Sequence, residues 1–296
     1  MRSIFLLVFP FVFLLHGCGT ENLPDKALLM KDVRFLAADD LQGRKTGTEG
    51  NTKAQAYLIE RFQEIGIKPL EGHYNWNFPI EGKANITSGT NLIGKIEGKS
   101  EKLIIITAHY DHVGVSASGE IFNGADDNAS GVAGLLATAR YFANKQPNHT
   151  MIFIAFDAEE IGLLGAKHFV KNLPFKKELI TFNLNMDMIS RSNRNEIYAA
   201  GSYHYPQFKP ILEEVASVAP IKLSLGHDQP GTSQQDWTLA SDHAPFHQAG
   251  IPFLYFGVED HPDYHQPTDD WDKISPEFLE DTTTAILDVI RKVDAR

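Results

Sequence analysis

Between residues 91 and 256 the chain alternates short, continuously apolar runs with helical stretches, and this constrains the fold more than any other feature. The runs are Asn91–Ile96, Leu103–Ala108, Met151–Phe156, Thr181–Met186, Glu196–Ala200 and Pro252–Phe256. Several lack polar alternation, which suits strands covered on both faces. Helical apolar spacing falls at Ser130–Asn144, Ile161–Asn172 and Gln207–Val218, and again at the end over Pro276–Val293. Two earlier helices are expected at Ala27–Ala38 and Glu49–Ile65, the second stopped by Gly66. A glycine-punctuated loop, Leu41–Gly47, separates them. Such alternation predicts one α/β domain with a largely parallel central sheet. No Pro- or Ser-rich linker divides it, and a chain of 296 residues can bury about three quarters of its unfolded surface without a disulfide or structural metal.

The N-terminus reads separately. Arg2 precedes Ile4–Leu15, an apolar run of 12 residues. That is too short to span a bilayer and right for the core of a signal peptide. It ends in Leu15-His16-Gly17-Cys18, which resembles a bacterial lipobox, with His16 where a small or apolar residue is usual. Residues 1–17 are therefore expected to be a lipoprotein signal peptide and 18–25 a tether, with the folded domain over 26–296. Acyl chains on Cys18 would hold the exported protein at the cell envelope, at the outer membrane or the periplasmic face. The formal net charge of −11 makes nucleic acid a poor partner. A single cysteine excludes a disulfide scaffold within the chain and any Cys₄ or Cys₂His₂ zinc site.

In a sheet of this kind, sites form outside the carboxyl ends of the strands, and the polar clusters fall there. Leu103–Ala108 runs into His109-Tyr110-Asp111-His112, and Met151–Phe156 into Asp157-Ala158-Glu159-Glu160. Thr181–Met186 runs into Asp187, and Pro252–Phe256 leads towards His261–His265. Gly124–Gly131 carries Asp126 and Asp127 just before a helix. Acids that converge in a cleft repel one another unless a cation neutralises them. Imidazoles with three or four carboxylates suit a pair of divalent ions, Zn²⁺ better than Mg²⁺ or Ca²⁺. Asp111 follows His109 by two residues; on a strand both share a face, where Asp111 could accept the second ring N–H. Adjacent Glu159 and Glu160 cannot both aim at one metal from a regular element, so one could be a ligand while the other faces the bound water.

These elements together resemble the M28 family of metallopeptidases, the co-catalytic zinc aminopeptidases. The resemblance covers His109-x-Asp111, Gly124–Gly131, Glu159-Glu160, Asp187, Ser241-Asp242-His243 and His261–Thr268, in family order. It implies a three-layer zinc-peptidase fold with a mixed sheet, and two Zn²⁺ per chain bridged by Asp127. His109 and Asp187 would complete one metal site, Glu160 and His265 the other. Glu159 would be the general acid/base and Asp111 the partner behind His109. The resemblance also implies a cis peptide after the bridging aspartate. Some relatives place an oxyanion-holding tyrosine a few residues before the Ser-Asp-His triplet; Trp237 and Thr238 stand there in this chain.

The implied activity is removal of the N-terminal residue of peptides by a water bridging two zinc ions. The rivals are a single-zinc glutaminyl cyclase and an inactive binding module of the same fold. Ser241, Asp242 and His243 are consecutive, so their side chains diverge, and no Gly-x-Ser-x-Gly elbow is present. They read as pocket wall. Asp126 is expected to shape its loop, and His112, His227, His247 and His261 to be surface or supporting residues.

Overall fold

The computed structural model describes residues 23–296, so the export segment and Cys18 lie outside the described residues. Helix α1 (Lys26–Leu36) is capped by Asp25, whose side chain accepts the Leu28 N–H at 2.9 Å. Helix α2 (Glu49–Ile65) starts at Thr48 and stops at Gly66, which adopts the left-handed conformation that glycine tolerates. The remaining helices are α3 (Gly131–Ala143), α4 (Leu164–Lys171), α5 (Lys209–Ala216), α6 (His243–Gln248) and α7 (Pro276–Asp294).

The strands are β1 (Lys68–Pro69), β2 (Asn75–Pro79), β3 (Ser88–Ile96), β4 (Ser100–His109), β5 (Gly114–Val115), β6 (Ile121–Phe122), β7 (His149–Phe156), β8 (Ile180–Met186), β9 (Glu196–Ala200), β10 (Lys222–Leu225) and β11 (Phe253–Gly257). Nine of them form one sheet, in the order β1-β3-β7-β4-β8-β11-β9-β10, with β2 also on β3; β5 and β6 form a separate hairpin. The four central strands β7, β4, β8 and β11 run parallel, and β9 pairs β10 in parallel. The pairings of β3 with β1, β2 and β7 and of β9 with β11 are antiparallel. The sheet is thus mixed, parallel at the centre where the site forms.

Strand β4 explains the continuous apolar runs. Ile104, Ile106 and Ala108 face a core built with α1, α2, α3, α5 and α7. Leu103 and Ile105 face a second core containing Phe169 of α4 and Phe246 of α6. Helices therefore cover both faces, giving three layers.

Helix α4 starts three residues later than its apolar spacing predicts. The Glu159 carbonyl accepts the N–H groups of Gly162 and Leu163 at 2.8 Å each, closing a turn first. The short elements β2, β10 and α6 carry too few residues to show a period.

Candidate metal centre

The carboxyl ends of the parallel strands converge. Strand β4 ends on His109, β7 leads to Glu159 and Glu160, and β8 leads directly to Asp187. Asp127 enters from an irregular helical turn, Ala125–Ser130, and the Asp127–Asn128 peptide bond is cis, as the resemblance implies. His265 comes from the loop after β11.

The two oxygens of Asp127 face different histidines. Oδ1 lies 3.3 Å from His109 Nε2, and Oδ2 lies 3.1 Å from His265 Nε2. His109 Nε2 is also 3.3 Å from Asp187 Oδ1, and His265 Nε2 is 3.3 Å from Glu160 Oε2. Donor atoms of His109, Asp127 and Glu160 lie within 4.8 Å of one another, as do those of His109, Glu159 and Asp187. All are buried or nearly so except His265, whose side chain is 42% exposed. Imidazole nitrogens and carboxylate oxygens at this spacing are the donor set that Zn²⁺ takes. These residues fit zinc.

Electrostatics points the same way. Burial pushes the Glu159 carboxyl well above the usual range, and the charges of Asp242, Asp187 and Glu160 add to it. Burial alone would raise Asp127 too, but His112, His109 and His265 hold it well below. A cluster of buried acids sharing a few imidazoles is a cluster that a divalent cation would stabilise.

The Asp111 expectation needs correction. His109 Nδ1–H donates to the backbone carbonyl of Asp111 at 3.2 Å, while the Asp111 carboxylate is 3.8 Å away. The carbonyl thus holds the tautomer that leaves Nε2 free to ligate. The carboxylate instead accepts the backbone N–H groups of Glu159 (3.1 Å) and Glu160 (3.4 Å). Strand β4 stops at His109, so the alternation that would put both side chains on one face no longer applies.

Other side chains hold the loops. Asp269 accepts the backbone N–H groups of Asp126 and Asp127 at 3.0 Å. Asp126 accepts from Ser190 N–H at 2.8 Å and faces His261 Nε2 at 3.0 Å, shaping the loop as expected. Ser241 receives a bond from Asn185 and donates to Asp187 Oδ2 at 2.7 Å, so this part of the pocket wall aims a carboxylate. Asp242 is buried with neither oxygen hydrogen-bonded, and burial pushes its carboxyl up to about 7.

His112, expected to be a surface or supporting residue, is a supporting one: it is fully buried, with Nδ1 2.5 Å from Glu160 Oε1. Sequence reasoning missed two other contributors. Arg44, the last residue of a short 3-10 helix (Asp39–Arg44) before α2, is fully buried and donates to the carbonyls of Leu36, Tyr110, Asn123 and Gly124. Tyr255, from the apolar β11, lines the same cleft as the acids. That cleft encloses about 320 Å³, with Met188, Trp237 and Val258 among its apolar walls.

The family model for peptidase family M28 matches residues 91–290. The chain belongs to this family. It is 33% identical over 252 residues to aminopeptidase YwaD of Bacillus subtilis (strain 168), an alignment covering 77% of this chain and 51% of that protein. The chain thus spans about half the length of that relative. Its fold matches a solved zinc aminopeptidase from Bacillus subtilis with a TM-score of 0.75 and 19% identity, over 92% of this chain and 96% of that one. It also matches glutaminyl cyclase of Porphyromonas gingivalis, with a TM-score of 0.75 and 17% identity, over 92% and 99%.

Proposed function

We propose that this protein is a two-zinc aminopeptidase that removes the N-terminal residue from peptides. The observation that carries the reading is Asp127, whose two carboxylate oxygens face His109 and His265 separately. Asp127 would be the shared ligand, with His109 and Asp187 on one side and Glu160 and His265 on the other. When bound, zinc would lower the pKa of a water to about 7 and polarise the scissile carbonyl. Glu159 would take the proton of the attacking water and return it to the leaving amine. Its raised affinity for a proton, from burial among other acids, suits a group that must carry one between two steps. Asp111 would set the backbone of Glu159 and Glu160, so that adjacent side chains take different roles.

The test is a panel of aminoacyl-4-nitroanilides, with free and blocked amines, alongside a zinc count. Hydrolysis confined to free amines, with two zinc ions per chain, is the expected result. The shared fold with a glutaminyl cyclase makes single-zinc acyl transfer the second reading. One zinc per chain and cyclisation of N-terminal glutamine would replace the first reading with it. A protein that binds peptides but turns over neither substrate would be the inactive module.

For location, the apolar run Ile4–Leu15 followed by Cys18 supports export and lipid anchoring at the cell envelope. Cys18→Ala should release the protein into the soluble fraction; a wild-type protein that is already soluble would overturn the anchor.

A further inference from the structure

We propose that Asp260 gives this cleft a preference for substrates whose N-terminal residue is basic, its carboxylate pairing with the cation at the tip of a lysine or arginine side chain. The inference rests on the aminopeptidase reading and deepens it by naming the substrate class. Five acids line the cleft: Asp127, Glu159, Glu160, Asp187 and Asp260. The first four belong to the metal centre, where their donor atoms gather in two clusters that share His109; Asp260 is in neither. Two zinc ions would carry four positive charges against those four carboxylates, so the loaded centre would be neutral even with all four ionised. Asp260 is then the charge the cleft has left to offer a substrate. Among the described residues that line the cleft there is no lysine or arginine to cancel it.

Asp260 is exposed, and among the described residues its carboxylate has no hydrogen bond or ion pair. Other acids of the same loop are engaged: Glu259 faces Arg194 at 3.5 Å and His227 at 3.3 Å, and Asp263 faces Arg191 at 2.8 Å. Those pairs also occupy the two arginines of the small adjoining groove that Asp260 lines. The wall beside Asp260 suits a long side chain. Val258, two residues earlier, lines the cleft together with Met188, Trp237 and Ala240. Trp237 is buried and fixed by His227, whose ring stacks on the indole at 3.6 Å. Lysine and arginine lay their methylenes along apolar surface and keep the charged head in water. A carboxylate that is exposed beside an apolar wall meets both demands at once. A side chain that ends in a methyl group gains only the wall.

The experiment uses the zinc-loaded protein and Asp260→Asn, which keeps the shape and removes the charge. The 4-nitroanilides of lysine, arginine and norleucine are compared, since norleucine has the carbon chain of lysine without the ammonium. Wild type is expected to favour lysine and arginine over norleucine in kcat/KM. The preference should shrink between about 0.02 and about 0.5 M salt, because exposed charges are screened. In Asp260→Asn the lysine-to-norleucine ratio should fall about fivefold, the upper end for an exposed ion pair. Asp260→Lys should lower it further. A ratio unchanged in Asp260→Asn would overturn the proposal, whether activity holds on both substrates or falls equally on both. An equal fall would mark contact with the α-amine or a packing role, which all substrates share. A wild-type protein inactive on every free-amine substrate would bring down the aminopeptidase reading together with this one. An active wild type with no preference for a basic residue would bring down only the role of Asp260.

Discussion

Arg44 Nε donates to the backbone carbonyl of Tyr110 at 2.9 Å, across 66 residues of sequence. Tyr110 stands between His109 and Asp111. The same guanidinium binds the carbonyls of Asn123 and Gly124, just before Asp127. One buried side chain thus ties two of the segments that deliver candidate ligands, those of His109 and Asp127, to the segment before α2, which lies outside the family match at 91–290. Arg44→Met would leave several buried carbonyls without a donor, each costing about 1–3 kcal/mol. The expected loss of stability is at least about 3 kcal/mol, read from urea unfolding of the zinc-stripped protein, with zinc retention also reduced. A variant as stable as wild type that keeps its zinc would refute the clamp.

The corrected place of Asp111 yields a second expectation. Its carboxylate receives Glu159 N–H and Glu160 N–H, so it acts on the turn that aims both glutamates. Asp111→Asn keeps one acceptor oxygen and replaces the other with a donor, which clashes with an N–H. Supporting residues of this kind are worth about 10–100-fold in affinity or activity. A fall of that size in kcat/KM is expected, with His109 still held through the Asp111 backbone carbonyl and the fold intact by circular dichroism. Wild-type kinetics would show that the turn holds itself.

Glu159 and Glu160 should separate cleanly. Glu160→Ala removes a carboxylate that faces His265 at 3.3 Å and His112 at 2.5 Å, and should lose metal and activity together. Glu159→Gln keeps the shape and removes the proposed proton carrier. A fall in kcat of at least about 10² is expected for Glu159→Gln, with zinc content near normal. Full activity in Glu159→Gln, or loss of its zinc, would overturn this division of roles.

Much of this was legible in the sequence, for a physical reason. Strands buried on both faces are continuously apolar, so β4, β7, β8 and β11 stood out, and the acids after them had to lie at one sheet edge. What escaped were roles created only by tertiary contact. Arg44 looks like one more loop cation until it is found buried among four carbonyls. Tyr255 looks like one more strand aromatic, because its neighbours Leu254 and Phe256 face the other way into the large core. Asp111 was misplaced because a two-residue period was carried past the end of β4.

The last expectation concerns pH and the zinc-stripped protein. Burial is the largest cause raising the carboxyls of Glu159, Asp187 and Asp242, the last to about 7. His265 is raised to about 10 by its bonds to Asp127 and Glu160. For His109, burial is outweighed by the charges of Asp187 and Glu159, and the ring is held well above its ordinary value. Each of these groups binds its proton more tightly folded than unfolded. Their stabilisation is therefore complete below the unfolded values, about 4 for carboxyls and about 6.5 for imidazole, and is lost as pH rises through the folded ones. Asp127 and Glu160 are displaced downward and matter only against acid. Between about pH 5 and pH 10 the stripped protein should thus melt at progressively lower temperature. Zinc takes the place of those protons, so the gap in Tm between loaded and stripped protein should widen with pH. Calorimetric scans of chelated and zinc-reconstituted protein at three pH values across that window would check it. A gap that stays constant or narrows would mean that the acids and imidazoles of this cleft are not the groups zinc relieves.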